Sequence, residues 1–196
     1  SELRHELVLI SEEVPDVDQL LAGIRQDANT LFDVYVVDRS QSGWEQLQNY
    51  LVDANIQFDA IHFVTHGTNA GFQFGSDWVN SDTLLNQSET LAQVGQFLSE
   101  DADLLLYGCS IAETDAGQNI VTSLAQLTSA DVAASSDLTG HWTLGGDWDL
   151  EYRVGNVESS FAFSEDLQGN WQYTMVTYTL LDNFASASYS NNNGTN

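Results

Sequence analysis

The sequence has a single cysteine, no lysine and no long run of apolar residues. One cysteine cannot form a disulfide within the chain, so Cys109 is a free thiol. Such a thiol is either buried and inert or exposed and reactive. Because no apolar run approaches the roughly 18 residues of a membrane span, we predict no membrane insertion.

Positive charge is as scarce as cysteine. Four arginines face 29 acidic residues, which gives a formal net charge of −25. Nucleic acids and anionic lipid surfaces are bound through basic patches, so this balance excludes both as partners. The acidic residues are spread along the chain, which is typical of a solvated acidic surface in a saline or calcium-rich setting.

Metal ligands show no recognisable spacing. The four histidines do not fall at the intervals of a zinc site, and a lone cysteine cannot supply a cysteine-rich one. There is also no glycine-rich nucleotide-binding fingerprint. We therefore predict no metal site and no required cofactor, with calcium kept as a candidate ligand of the acidic chain.

Short apolar runs alternate with helical patterns over the first two thirds of the chain. The predicted strands are 6–10, 33–38, 60–65, 102–107 and 131–134, and the predicted helices start near residues 16, 42, 81 and 114. Such alternation predicts an α/β domain with a mainly parallel sheet and helices on both faces. Because the strands are apolar almost throughout, we expect both faces of the sheet to be covered.

The pattern changes after Thr139. Apolar and aromatic residues alternate with polar ones around Gly145-Gly146, which predicts a β-hairpin added to the sheet. We place the α/β domain at residues 1–170. Residues 171–196 end in a segment rich in Ser, Asn and Gly, and we interpret them as a linker or as the truncated start of a following β-rich module.

Two predicted strands end in residues suited to chemistry. One ends in His66-Gly67 and a later one in Gly108-Cys109. Sites in open α/β sheets form at the carboxyl ends of the strands. An imidazole beside a thiol can take its proton, and this would give a thiolate near neutral pH. The amides of Gly67 and Cys109 are then candidates to hold a developing oxyanion.

These two blocks resemble those of the caspase-like cysteine peptidases, which include caspases, legumains, clostripain, gingipains and the self-cleaving domains of large bacterial toxins. IHFVTHG (61–67) and LLLYGC (104–109) look like the two strand ends of that family. Cys109 follows His66 by 43 residues, against about 50 in the caspase signature. The resemblance implies a caspase-like three-layer sandwich, with Cys109 as nucleophile and His66 as acid/base.

The same resemblance implies a substrate pocket. In the family, the strand after the cysteine-bearing strand helps to wall the pocket for the residue before the scissile bond. By position this is the segment 132–137, so Ser135 and Asp137 are pocket candidates. A carboxylate there would favour Arg or Lys in the substrate. The alternative is that Asp137 only turns the chain before Gly140.

A closer resemblance covers about residues 5–155. The series HGT…GC…DVAASSDLTG…LGGDWDLEY is similar to a domain of unknown function found toward the N-termini of giant secreted bacterial repeat proteins and adhesins. This implies a secreted or cell-surface location in bacteria, as part of a larger chain. We predict a cysteine endopeptidase whose polypeptide substrate is its own parent chain or a companion surface protein, with Arg153 as a candidate point of self-cleavage.

Two other functions stay open. The caspase-like fold could serve as a catalytically idle interaction or spacer module of an adhesin, with Cys109 as a small buried hydrophobe. Trp142, Trp148 and Tyr152 could instead form a strip that stacks on sugars, although packing at the sheet edge explains them without any ligand.

Overall fold

A computed structural model describes residues 3–176, and a central sheet of six strands runs through this range. The strands are β1 (Arg4–Ser11), β2 (Thr30–Val37), β3 (Phe58–Val64), β7 (Leu98–Leu106), β8 (Asp131–Ala134) and β9 (Tyr152–Val154). A small antiparallel sheet holds β4 (Gly67–Thr68), β5 (Gly71–Phe74) and β6 (Asp77–Val79). The helices are α1 (Val17–Ala22), α2 (Gly43–Ala54), α3 (Ser81–Asn86), α4 (Ser88–Gln96), α5 (Asp115–Thr128) and α6 (Glu165–Asn170).

The central sheet has the strand order β2-β1-β3-β7-β8-β9. The first five strands of this order are parallel, and β9 runs antiparallel to β8 at the edge. Because β2 and β3 lie on opposite sides of β1, the order reverses there. The carboxyl ends of β1 and β3 therefore form a topological switch point, where open α/β sheets place their sites.

Each face of the sheet is covered by its own apolar core. One core takes Leu47 from α2, Leu91 from α4 and Ile120 from α5. The other takes Leu20 from α1 and Leu167 from α6. Helices on both faces of a mainly parallel sheet make a three-layer α/β sandwich, so the predicted fold class is confirmed.

The predicted helix that follows the small sheet is divided in two. Asn80 caps α3 in a reciprocal capping box with Thr83, and α3 ends at Asn86. Gln87 then turns the chain, and α4 starts directly after it. The break lies at Asn86 and Gln87. Because neither residue is glycine or proline, the break has no signal in the sequence.

The pattern around Gly145-Gly146 does not form the predicted hairpin. Trp142–Leu144 makes one 3-10 turn, and Gly145, with a φ of 83°, ends it by donating its N–H to the Trp142 carbonyl. A left-handed glycine after a helical turn redirects the chain without pairing two strands. Of this stretch, Tyr152–Val154 joins the central sheet as β9, while β5 and β6 form a hairpin in the small sheet.

The boundary expected after residue 170 lies inside the packed domain. Trp171 and Met175 are both fully buried and belong to the same core as α1 and α6. The segment 173–176 also forms backbone bridges to Gly67 and Gly140. The rest of the predicted linker, residues 177–196, lies outside the described residues.

A buried polar network crosses the centre of the sheet. The His62 ring bonds through Nε2 to the Glu6 carboxylate at 2.8 Å and through Nδ1 to the Tyr107 hydroxyl at 2.9 Å. Tyr107 in turn accepts the Ala162 N–H at 3.0 Å. Burial raises the pKa of Glu6, but the hydrogen bonds and charges of His62 and Arg4 outweigh it and hold that pKa below its ordinary value. His62 is thus a hydrogen-bonded core histidine.

We expect His62→Ala to lower the free energy of unfolding by about 3 kcal/mol, because it leaves a buried carboxylate without its nearest partner. Urea denaturation at pH 7 measures this, with His5→Ala on the neighbouring strand as the matched control. A lowered pKa means that Glu6 stabilises the fold above its ordinary value of 4.5, and that this contribution is lost as the pH falls through the folded value. The loss of stability on acidification should therefore be smaller in His62→Ala, and equal pH slopes would contradict the prediction.

Candidate active site

The two predicted site strands are neighbours. β3 and β7 run parallel with Phe63 paired to Leu106, and the Tyr107 N–H donates to the Phe63 carbonyl at 2.9 Å. His66-Gly67 and Gly108-Cys109 follow directly at the carboxyl ends of these strands. The adjacency that the sequence could only suggest is therefore present in the fold.

Glycine is required where these two strand ends touch. A Cβ added at Gly67 would lie 2.7 Å from the Cys109 carbonyl oxygen, and one added at Gly108 would lie 3.1 Å from the Gly67 Cα. Backbone atoms cannot yield as a flexible side chain can. The two glycines therefore let the strand ends come together. Local sequence patterns do not indicate this role, because the contact joins segments distant in the chain.

A backbone carbonyl orients the imidazole. His66 is buried, and its Nε2 lies 3.0 Å from the carbonyl oxygen of Glu13, just after β1. Because a carbonyl can only accept, Nε2 carries the hydrogen and Nδ1 is the basic nitrogen of the neutral ring. Sequence reasoning named no orienting group, since a backbone carbonyl leaves no signature in the sequence.

The thiol is enclosed. Cys109 is 1% exposed, and its Sγ accepts the Thr139 N–H at 3.2 Å. Burial raises the pKa of Cys109 to about 11, against the smaller lowering effect of the Thr139 and Met175 amides. A thiolate near neutral pH, as the sequence suggested, is therefore not formed in this state, because the apolar surroundings disfavour its charge.

The Gly67 amide, predicted to hold an oxyanion, already holds a carbonyl. It donates to the Met175 oxygen at 3.1 Å. The Cys109 amide, the second predicted donor, lowers the pKa of its own thiol. Of the two predicted donors, Gly67 is the one that the described residues show bound to a peptide carbonyl.

The segment that covers the thiol is Tyr173–Val176, which we call the cleft segment. Its backbone pairs with the stretch 139–141 on one side, where the Met175 N–H donates to the Thr139 carbonyl and the Tyr173 carbonyl accepts the His141 N–H, both at 2.9 Å. On the other side it pairs with Gly67. The cleft segment is thus held by backbone hydrogen bonds on both sides, near the carboxyl ends of β3 and β7.

The predicted pocket residues follow β8. Ser135 is buried, and its hydroxyl donates to the Asp137 carbonyl at 3.0 Å. The Asp137 carboxylate is exposed, yet close enough to contribute to the raised pKa of Cys109. The Asp137 carbonyl also accepts the Ser110 N–H, which ties this turn to the cysteine loop.

Three exposed carboxylates gather beside this turn. Asp137, Asp147 and Glu151 each offer a ligand oxygen, and these oxygens lie within 4.8 Å of one another. Burial and the neighbouring charges of Glu151 and Asp147 raise the pKa of Asp137. Oxygen ligands at this spacing suit a hard cation such as calcium, although exposed acids also cluster without one.

The aromatic strip suggested for sugar binding is not formed. Trp142 is 73% exposed on its 3-10 turn, whereas Trp148 is 5% exposed and packs in the core near Tyr107 and Trp171. The two rings therefore do not share one exposed surface. Within residues 3–176, no helix has the length and apolar character needed to cross a membrane.

Comparison with known proteins adds a family. Residues 7–175 match a family model described as Domain of unknown function (DUF4347). A search of curated proteins finds no match. A crystal structure of a small-chain dehydrogenase aligns with a TM-score of 0.39 at 11% identity, over 66% of this chain and 79% of that chain. A short chain dehydrogenase family protein from Francisella tularensis subsp. tularensis SCHU S4 aligns with a TM-score of 0.29 at 11% identity, over 64% and 60% of the two chains. Neither likeness supports a functional argument.

We expect Gly67→Ala to lower the free energy of unfolding by about 1–3 kcal/mol, because the new methyl group would overlap the Cys109 backbone. Gly169→Ala, on α6, is the matched control, since nothing lies within 4 Å of its added Cβ. Chemical denaturation of both variants measures the difference. Equal stabilities would show that the strand ends are not in close contact.

We also expect Cys109 to react slowly with iodoacetamide at pH 7 in the folded chain. Below a pKa of about 11 the thiolate fraction, and with it the alkylation rate, should rise about tenfold per pH unit between pH 7 and 9. Mass spectrometry of timed samples measures this rate. A rate that levels off near pH 8 would indicate an ordinary exposed thiol.

Proposed function

We propose that this chain, which belongs to the DUF4347 family of domains of unknown function, is a cysteine endopeptidase domain of a larger exported bacterial surface protein. In this proposal Cys109 is the nucleophile and His66 the acid/base. The observation that supports it most is the backbone contact of Gly67 with Gly108 and Cys109. That contact sets an imidazole-bearing and a thiol-bearing strand end side by side at the carboxyl end of the sheet.

The surroundings of His66 support its role. The Glu13 carbonyl fixes the ring tautomer, as the third member of a catalytic triad does in other hydrolases. His66 also lies at the switch point between β1 and β3, where a substrate could enter from above the sheet.

The Gly67 amide supports the predicted oxyanion site. It already binds a peptide carbonyl oxygen at 3.1 Å. A donor placed at this distance stabilises negative charge more than it stabilises a neutral carbonyl, which lowers the barrier to attack. Because the Gly67 N–H is seen bound to a peptide carbonyl, we propose Gly67 as the leading donor.

Activation must overcome burial. The thiol can lose its proton to His66 only where the product ion pair is stabilised, and the present surroundings of Cys109 raise its pKa instead. We propose that the covering cleft segment is either displaced by a substrate or is itself a substrate.

The acidic turn after β8 would influence which separate polypeptides are bound as substrates. With Asp137 beside Asp147 and Glu151, a pocket that includes Ser135 and Asp137 would attract an Arg or Lys side chain by charge pairing. Calcium bound by the same three carboxylates would weaken that preference. In this proposal the substrate is a polypeptide, either the parent chain or a companion surface protein.

A second candidate function is an idle interaction or spacer module. The full burial of Cys109 and its raised pKa favour it, because an inert buried thiol is the commonest state of a free cysteine. The two candidates differ in whether any peptide bond is broken in a Cys109-dependent way.

The test incubates the full chain with an unstructured peptide mixture, in millimolar calcium and in chelator, and identifies products by mass spectrometry. We expect discrete products that vanish in Cys109→Ala and fall at least about a hundredfold in His66→Ala, because acid/base catalysis contributes about 10²–10⁴ in rate. His5→Ala, which is far from the site, should match the unaltered chain. Identical product patterns with and without Cys109 would leave the idle module as the function.

A further inference from the structure

The cleft segment has the backbone arrangement of a bound peptide substrate. It pairs antiparallel to the stretch 139–141 through the Gly140–Thr174 bridge, and its chain bends at Met175. It pairs in parallel with Gly67 through Val176. Addition of an extended strand to an exposed backbone is a common way for proteins to bind peptides. Here the strand is supplied by the chain itself.

One carbonyl of this segment lies at the oxyanion site. The Met175 oxygen accepts the Gly67 N–H at 3.1 Å, the Met175 N–H donates to the Thr139 carbonyl at 2.9 Å, and the nearby Met175 amide lowers the pKa of Cys109. The Met175 backbone thus lies between the proposed nucleophile and the proposed oxyanion donor. Among residues 3–176, the Met175 carbonyl is the one that accepts the Gly67 N–H.

The Met175 side chain occupies an apolar slot. It is fully buried and shares a core cluster with Cys109, Trp148 and Trp171. A residue held this way before a scissile bond defines an apolar specificity, which differs from the basic preference expected of Asp137. Arg153, the cut predicted from sequence, lies instead in β9, where its backbone pairs with Ala133 in the sheet.

We propose that the peptide bond between Met175 and Val176 is cleaved in cis by Cys109, with the apolar slot selecting the residue before the bond. This assignment rests on the proposed peptidase function and deepens it. Because the segment is tethered to the site, its effective concentration is high and little affinity is needed.

The reaction balances with groups already present and one water. The thiol proton passes to His66, and the thiolate attacks the Met175 carbonyl carbon, whose oxygen becomes negative at the Gly67 amide. The carbon–nitrogen bond then breaks, the imidazolium gives its proton to the Val176 amine, and a thioester remains on Cys109. Water, deprotonated by His66, hydrolyses the thioester to a Met175 carboxylate and restores the thiol.

The test follows the purified full chain over hours to days near pH 7.5, with and without calcium, by intact-mass spectrometry and N-terminal sequencing. We expect a new fragment that begins with Val176 and reads VTYT, and we expect no such fragment in Cys109→Ala. Met175→Leu should be cut and Met175→Asp should be cut at least about tenfold more slowly, because a charge enters an apolar slot. Gln172→Ala, at an exposed residue just before the cleft segment, is the matched control and should be cut normally.

A second variant covers the case in which Met175→Asp fails to fold. Val176→Pro keeps the buried methionine and changes only the bond to be broken, since the ring alters the leaving nitrogen and restricts the preceding residue. We expect it to remain uncut with unchanged circular dichroism. If Val176→Pro is folded and still cut at this bond, the assignment is wrong.

The outcomes separate this inference from the proposed function. Cys109-dependent products from added peptides, or Cys109-dependent cuts elsewhere in the chain, without any cut at Met175–Val176 overturn this bond as the site and leave the peptidase standing. A cut at Val176 that persists in Cys109→Ala overturns the inference, because another protease made it. Absence of any Cys109-dependent cleavage overturns both.

Discussion

The close contact between the ends of β3 and β7 is the constraint on which the candidate site depends. Gly67 and Gly108 meet backbone to backbone, so that a Cβ on Gly67 would overlap the Cys109 carbonyl and one on Gly108 would lie tightly against Gly67. The pairing of the two strands ends at Phe63 and Leu106, and His66 and Cys109 each lie three residues beyond this pair. The Gly67 amide is thereby aimed away from the ladder and toward the Met175 carbonyl.

Burial holds this region in place and also keeps the Cys109 thiol protonated. The same core that holds Trp171 and Met175 in place surrounds Cys109 and raises its pKa to about 11. A low-dielectric cover of this kind opposes thiolate formation until a charged partner or a reacting carbonyl stabilises it. If the cleft segment is the substrate, the segment that covers the thiol is also the one that is cut, and cleavage would open the site. If the segment is neither displaced nor cut, the fold is an inert module.

Particular elements show how far sequence reasoning reached. The apolar runs predicted the five parallel strands, since strands buried on both faces need continuous apolar residues. The alternation of apolar and polar residues around Gly145 wrongly predicted a hairpin. The same alternation arises here from a 3-10 turn followed by an irregular stretch in which Trp148 is buried. Glu13 was missed because its carbonyl, common to all residues, does the orienting. The polar composition of the tail puts the predicted start of a linker or following module at residue 171, whereas Trp171 and Met175 pack in the core.

By itself, the sequence determined the alternating strands and helices, the lone thiol, the acidic surface and the two strand ends that carry His66-Gly67 and Gly108-Cys109. These follow from local patterns of burial and charge. Only the tertiary structure decided that β3 and β7 are neighbours, that a carbonyl after β1 orients the imidazole, and that Met175 lies over the thiol. Those facts depend on backbone hydrogen bonds between segments distant in the chain, and such bonds use groups that every residue shares.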